Sequence, residues 1–434
     1  MDFFLFLILN VLLIVRPMDM SPELRDLPLY NIVCILNLLV ALPQIAESLR
    51  FSRLVLKPTT ACVLGLLVTV PLASLSHLDT WNARSTTVEY GTTLLYYVLL
   101  IAVVNTYQRW RQFVYFVAIL ITITSTLSIL HYEGYITIST LSILQYNESL
   151  DPDGEKVVRL RAIGLFNDPN DLAAVAVAGM VISLCGLGDR RLGGLRLAWC
   201  IPLVLLMVTL AMTKSRGGMI AFALALALLS YTRYGIWKTA LLGLPAMPVA
   251  LLLFAKRMTD FSTADSSAVE RMQLWSNALN LFKAAPVLGI GMNQFHEQEH
   301  LVVHNSFLHC FTELGFVGGA LFLGAFWFAV LAIWKLREKN RDPFQPRLDS
   351  GFQRMQPYCL GIVGGYATSL LSISRTYVIP TYLVLGLASA YCSVAQNFGL
   401  PTKVRINARS VVTVGLLSVA YLGAMYVYLR VTPH

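Results

Sequence analysis

The chain has 434 residues, of which 56% are hydrophobic and 13% charged, with a formal net charge of +9 and a mean hydropathy of +0.64. So few charged residues cannot cover a water-exposed surface, which excludes an ordinary soluble globular protein. The positive charge is dispersed over short loops between apolar stretches, so we also exclude a nucleic-acid partner.

Thirteen continuous apolar stretches predict an all-α polytopic integral membrane protein with about 12 to 13 transmembrane helices. No polar stretch is long enough for a separate soluble domain, so we predict a single transmembrane domain over residues 1–434. Membrane β-strands would alternate apolar and polar residues, which these stretches do not. The predicted spans are 2–15, 28–47, 59–76, 89–106, 113–131, 170–187, 197–213, 218–232, 239–256, 315–334, 357–373, 379–395 and 410–429.

Lys and Arg are concentrated in every second loop, which predicts that these loops and the amino terminus are cytoplasmic. Two outer loops are then unusually long, at residues 132–169 and 257–303. The second contains a predicted amphipathic helix on the membrane surface, with Trp275, Leu279 and Phe282 on one face. Because long ordered loops usually carry function, we expect the active site on this outer side.

The first long loop ends in polar and charged residues directly before an Ala/Val-rich span. Asn167 or Asp168 can cap this helix, with Pro169 in its first turn. Arg159, Arg161 and the other polar residues nearby are candidate substrate contacts. The alternative is a well-capped helix without any further role.

A short outer turn, Thr213-Lys-Ser-Arg-Gly-Gly218, carries two positive charges where the orientation rule disfavours them. Arg216 beside glycines and a helix amino terminus is a candidate anion site, because guanidinium and backbone N–H groups both suit phosphate oxygens. The alternative is an arginine that reaches the lipid headgroups.

The second long loop contains an HExxH pattern at residues 296–300, followed by His304-Asn305 and, in the next span, Glu313. On a regular helix through 296–304, three histidines would share one face and could bind zinc, with Glu297 activating water. The alternative is a polar loop leading into the membrane. For Glu313, close to the interface, we expect a partner such as an outer arginine.

The ordered motifs together resemble the O-antigen ligase and polymerase family over about residues 155–335. These motifs are Arg159 and Arg161 with GLFNDPNDLA, the SRGG sequence that starts at Ser215, Arg271 with Trp275 and GIG, and His304-Asn305 with Glu313-Leu-Gly. The resemblance implies a multi-pass protein of the bacterial inner membrane with a periplasmic active site. Its implied partners are an undecaprenyl-diphosphate-linked glycan donor, a lipid A-core or glycan acceptor, and membrane lipids.

The functional residues of the family fall on Arg216, Arg271 and His304. Two guanidinium groups can stabilise the charge that grows on the departing diphosphate, so no metal or other cofactor is expected. An imidazole is suited to accept the proton of the acceptor hydroxyl near neutral pH. The residues expected to contact sugar or to orient the arginines are Arg159, Arg161, Asn167, Asp168, Asn170, Ser215, Asn305 and Glu313.

A single displacement of this kind inverts the anomeric configuration, and we favour a ligase that uses lipid A-core as the acceptor. A polymerase, which extends another lipid-linked repeat, shares the donor and the motifs. Two further alternatives are an intramembrane zinc protease at the HExxH pattern and a transporter of lipid-linked glycans. A transporter should carry charged residues deep within its spans and interrupted helices in two similar halves.

Overall fold

The computed structural model describes residues 1–20, 27–50, 54–138, 159–241, 266–339, 350–398 and 404–432, together with Glu23, Leu400 and residues 149–150 and 156–157. This described part is helical apart from one antiparallel pair of two-residue strands, β1 (Ser149–Leu150) and β2 (Lys156–Val157). Ten of its helices are long and apolar enough to cross a membrane. The predicted all-α polytopic fold is therefore confirmed.

The strand pair lies between the fifth and sixth of the helices that follow. These helices are α1 (Asp2–Ile14), α2 (Leu29–Ser48), α3 (Pro58–Leu75), α4 (Thr80–Val103), α5 (Tyr107–Tyr132), α6 (Pro169–Gly188), α7 (Cys200–Thr213), α8 (Arg216–Tyr234), α9 (Ser266–Ala284), α10 (Gln294–Glu299), α11 (Ser306–Lys339), α12 (Ser350–Ser369), α13 (Ile379–Asn397) and α14 (Ala408–Val431). Short 3-10 helices cover Gly164–Phe166 and Arg190–Trp199.

Three of the thirteen predicted spans are not among the ten candidate membrane helices of the described chain. The first forms α1, whose 13 residues are fewer than the roughly 20 that a span requires. The stretch 357–373 lies mostly in α12, whose first turns contain the polar residues Gln353, Arg354 and Gln356. The span predicted at 239–256 lies almost wholly outside the described residues.

The chain divides into two compact units, and the first comprises residues 1–47, 99–249 and 340–369. Its central helix is α6, which packs against α5, α7, α8 and α12. The many Ala and Val residues of α6 keep its surface smooth, so neighbouring helices can approach closely. At Gly218 of α8, a Cβ atom would lie only 2.7 Å from the Cβ of Ala173, so a glycine is needed there.

The second unit comprises residues 48–98, 250–339 and 370–434, and α11 is its central helix. Gly315 interrupts α11 with φ 64° and ψ −165°. The broken turn pairs with the segment before α10, because Gly291 N donates to Glu313 O at 2.9 Å and Phe316 N donates to Pro286 O at 2.8 Å. The backbone groups that the break releases are thereby satisfied inside the protein, as burial requires.

Candidate active site

The sequence-predicted residues of the first unit collect where α6 and α8 begin. Asp168 is the N-cap of α6, and its Oδ1 accepts a hydrogen bond from Asn170 N at 2.7 Å. Ser215 is the N-cap of α8, and its Oγ accepts from Gly218 N at 3.2 Å. The capping residue predicted for α6 is thus identified as Asp168, and Asn167 lies exposed just before it.

Asn170 joins the first long loop to the start of α8. Its Oδ1 accepts one hydrogen bond from Arg159 Nη2 at 3.1 Å and another from Ser215 Oγ at 2.8 Å. Arg159 Nε also donates to the carbonyl of Thr213 at 3.0 Å. Three of the predicted residues are therefore brought together, and we call Arg159, Asn170 and Ser215 the asparagine network.

Arg216 follows Ser215 directly and is the first residue of α8. The backbone N–H groups of a first helical turn have no intrahelical partner, and the helix dipole gives this end a positive potential. A guanidinium at the same end adds to that potential, so an anion is favoured there. Arg216 is half-buried, and so is Arg161 in the preceding loop.

In the second unit, His304 lies directly before α11 and has a left-handed backbone, with φ 54°. Asn305 caps the helix: its Oδ1 accepts from Phe307 N and Leu308 N, both at 3.2 Å, and from Tyr421 Oη at 2.9 Å. The Asn305 side chain, predicted to contact sugar, is 2% exposed and anchors the start of α11. His304 itself is half-buried and sits beside this fixed point.

Arg271 lies in the second turn of α9, one turn before Trp275 and on the same face of the helix. The Nε1 of Trp275 donates to the carbonyl of Val303 at 2.8 Å, which ties this face to the residue before His304. The apolar face predicted for α9 packs against protein, because Leu279 belongs to a buried cluster with residues of α10, α11 and α14.

Glu313 is fully buried, and its described partner is a histidine where an arginine was predicted. Its Oε1 lies 3.2 Å from His309 Nε2 and accepts from Phe295 N at 3.3 Å. His309 precedes Glu313 by one helical turn, so the pair forms on one face of α11. The i,i+4 spacing could have revealed His309 from the sequence, but this signal was missed.

The connection between α12 and α13 adds three residues that the sequence did not single out. Ser306 Oγ accepts from Arg375 N at 2.8 Å, and Ser306 O accepts from Thr376 Oγ1 at 2.9 Å, so this connection is fixed to the start of α11. Tyr377 contacts the His309 ring. Burial, and then the nearby Glu313 carboxylate, raise the pKa of the Tyr377 phenol well above its ordinary value.

The regular helix that a zinc site would require is interrupted. The helix α10 ends at Glu299, and His300 has a left-handed backbone with φ 56°. His296 and His304 therefore do not lie on one continuous helical face. In the part of the chain that the structure describes, no three His, Cys, Asp or Glu side chains are grouped to hold a metal ion.

The comparisons with known proteins bear on the same motifs. A family model described as O-antigen ligase matches residues 201–323, a segment that runs from α7 into α11 and includes Arg216, Arg271 and His304. Arg159 and Asn170 lie before it. No curated protein matches the chain. The family indicates transfer of the ligase or polymerase type by a multi-pass membrane protein. The match confirms, over residues 201–323, the resemblance to the O-antigen ligase family that the motifs predicted.

Proposed function

We propose that this protein is an inverting glycosyltransferase that moves a glycan from undecaprenyl diphosphate to lipid A-core. The reaction takes place on the periplasmic face of the bacterial inner membrane. The observation that carries the proposal is the asparagine network, which joins the first long loop to Ser215, the residue directly before Arg216 at the start of α8. The family match over the segment that contains Arg216, Arg271 and His304 supports the same reaction.

Arg216 and Arg271 stabilise the departing diphosphate. The bond between the anomeric carbon and the diphosphate oxygen breaks, and its electron pair remains on the phosphate. Guanidinium groups donate paired, charge-assisted hydrogen bonds to phosphate oxygens, and they act most strongly where water is excluded. Two guanidinium groups can neutralise this charge, so the mechanism needs no metal ion.

His304 acts as the general base. The acceptor hydroxyl oxygen forms a bond to the anomeric carbon, and its proton passes to the imidazole. The backbone of His304 is held from both sides, by Trp275 at Val303 and by the Asn305 cap. A non-glycine residue with positive φ is unfavourable, and such conformations persist where the surroundings impose them. This supports a precise placement of the imidazole.

The test uses liposomes that contain the purified protein, undecaprenyl-diphosphate-linked glycan and an acceptor. We expect His304→Ala to lower the transfer rate by about 100-fold or more, the usual size of a lost general base. His300→Ala is a matched control, because His300 also has a left-handed backbone and is exposed. Equal activity of the two variants would contradict the assignment of His304.

The choice of acceptor distinguishes a ligase from a polymerase. With lipid A-core, a ligase gives a product with the glycan on the core. With only a second lipid-linked repeat, a polymerase gives a longer lipid-linked glycan. The match to a family model described as O-antigen ligase supports the ligase. A product that forms only between two lipid-linked repeats would assign the polymerase reaction.

A further inference from the structure

A cavity of about 460 Å³ lies within the first unit, at the far ends of α6 and α8. It is formed where α6 ends, where α8 ends and where α12 begins. Its volume falls within the range of about 300 to 1,000 Å³ that is usual for ligand pockets. Its lining includes Cys185, Asp189, Arg190, Arg233, Arg354 and Tyr358.

Within the described ranges, the lining carries three guanidinium groups and one carboxylate. The carboxylate of Asp189 is already engaged, because it accepts from Tyr115 Oη at 3.0 Å and lies 3.7 Å from Arg111 Nη1. Among the described residues, no carboxylate forms an ion pair with Arg190, Arg233 or Arg354. The cavity is therefore positively charged, and an anion is the ligand that this charge favours.

The arginines differ in how firmly they are held. Arg233 Nη1 donates to Tyr358 Oη at 2.8 Å, which fixes one guanidinium at the wall. Arg190 and Arg354 are exposed at the rim. Deeper in the cavity, Cys185 Sγ lies 3.3 Å from Met355 Sδ, and this contact gives an apolar floor. The site thus combines a cationic rim with an apolar interior.

The cavity lies on the face of this unit opposite to the asparagine network. Both α6 and α8 start at that network, and α6 has 20 residues. At 1.5 Å per residue, its two ends are about 30 Å apart, the thickness of a hydrocarbon core. The cavity is therefore at the predicted cytoplasmic interface, separate from Arg216.

We propose that this cavity binds the phosphate of an anionic phospholipid headgroup in the cytoplasmic leaflet. Basic pockets between membrane helices suit such headgroups, because the phosphate meets guanidinium groups while the rest of the lipid remains in apolar surroundings. A zwitterionic lipid carries its own cation, which the three arginines repel. The site is independent of the glycan transfer proposed above.

The test measures binding of phosphatidylglycerol to delipidated full-length protein by native mass spectrometry, with phosphatidylcholine as the comparison lipid. We expect the double variant Arg190→Gln/Arg354→Gln to bind phosphatidylglycerol about 30-fold more weakly, from the usual contribution of two basic residues near a membrane surface. Arg196→Gln is the control, since Arg196 is exposed on the same 3-10 helix but does not line the cavity.

Three further outcomes decide the proposal. Arg190→Lys/Arg354→Lys should retain most of the affinity, because it keeps the charge. Equal affinities of the double Gln variant and the Arg196→Gln control would overturn the site. Equal binding of phosphatidylcholine would overturn the preference for an anionic lipid. Displacement by millimolar inorganic phosphate, without preference for any lipid, would assign the site to a soluble phosphate ligand and overturn the lipid assignment.

Discussion

Replacement of Asn170 by alanine should uncouple the first long loop from the start of α8. The change removes an acceptor that serves Arg159 Nη2 at 3.1 Å and Ser215 Oγ at 2.8 Å. A hydrogen bond from a charged group contributes about 1.5–3 kcal/mol and a neutral one about 0.5–1.5 kcal/mol. Because Asn170 is only half-buried, water can replace part of the lost hydrogen bonding. We therefore expect the free energy of unfolding to fall by about 1–2 kcal/mol.

The measurements are thermal unfolding in detergent and the transfer rate in liposomes. Asn170→Ala should unfold at a lower temperature and transfer glycan at least about tenfold more slowly, because misplacement of a group that stabilises the transition state is costly. Asn170→Asp keeps the acceptor oxygens and should retain stability. The matched control for stability is Asn167→Ala, since Asn167 is exposed three residues earlier. Equal unfolding temperatures of the Asn170→Ala and Asn167→Ala proteins would contradict the prediction.

Three other changes have defined outcomes. Gly315→Ala places a Cβ 2.3 Å from backbone atoms, in a backbone conformation that is essentially restricted to glycine, so the free energy of unfolding should fall by more than about 3 kcal/mol. Gly423→Ala is the control, because Gly423 has open space around it and its replacement should not destabilise the protein. Equal shifts of the unfolding temperature in the two variants would contradict this prediction. Trp275→Phe keeps an aromatic ring but loses the indole hydrogen bond to Val303. The transfer rate should therefore fall, while the unfolding temperature changes by a few degrees at most. An unchanged transfer rate would show that Trp275 does not position His304. Glu313→Gln removes the buried carboxylate that lies 3.2 Å from His309 Nε2, so the unfolding temperature should fall. An unchanged unfolding temperature would show that this pair does not stabilise the fold.

The sequence predicted helices best where their signals are local. The start of α6 was placed at residue 170 and lies at Pro169, because the cap and the proline are adjacent in the chain. The start of α4 was predicted at residue 89, nine residues after its observed start at Thr80. Residues 80–88 are polar, so hydropathy does not detect them, although Asp79 Oδ1 caps Asn82 N there at 2.9 Å.

The break of α11 at Gly315 was also not predicted, because it depends on a contact over a longer distance in sequence. The segment before α10, which contains Gly289, packs against the broken turn of α11 at Gly315. Each glycine lies against the backbone of the opposite segment, and both have positive φ. GIG was recognised in the sequence only as part of a family motif, because its packing role depends on the tertiary structure.

Within the candidate site, residue identities were easier to predict than their partners. From the sequence, Arg159, Asn170 and Ser215 were selected in separate motifs. Their hydrogen bonds form because the end of the first long loop lies beside the turn before α8. Asn305 was predicted to contact sugar or to orient the arginines. Asparagine is also a common N-cap residue, and in the structure Asn305 caps α11. Arg375 was not predicted because its loop meets α11 only in the folded chain, where Arg375 N and Thr376 Oγ1 donate to Ser306.

In each of the two units, a proposed functional residue lies beside a neutral helix cap. Ser215 precedes Arg216, and Asn305 follows His304. Aspartate caps a helix as well as serine or asparagine, so capping alone does not explain the absence of charge. A carboxylate at 215 would pair with the guanidinium that the diphosphate needs, and one at 305 would favour the protonated imidazole and weaken it as a base. The neutral caps therefore fix the helix starts beside Arg216 and His304 without placing a carboxylate next to either side chain.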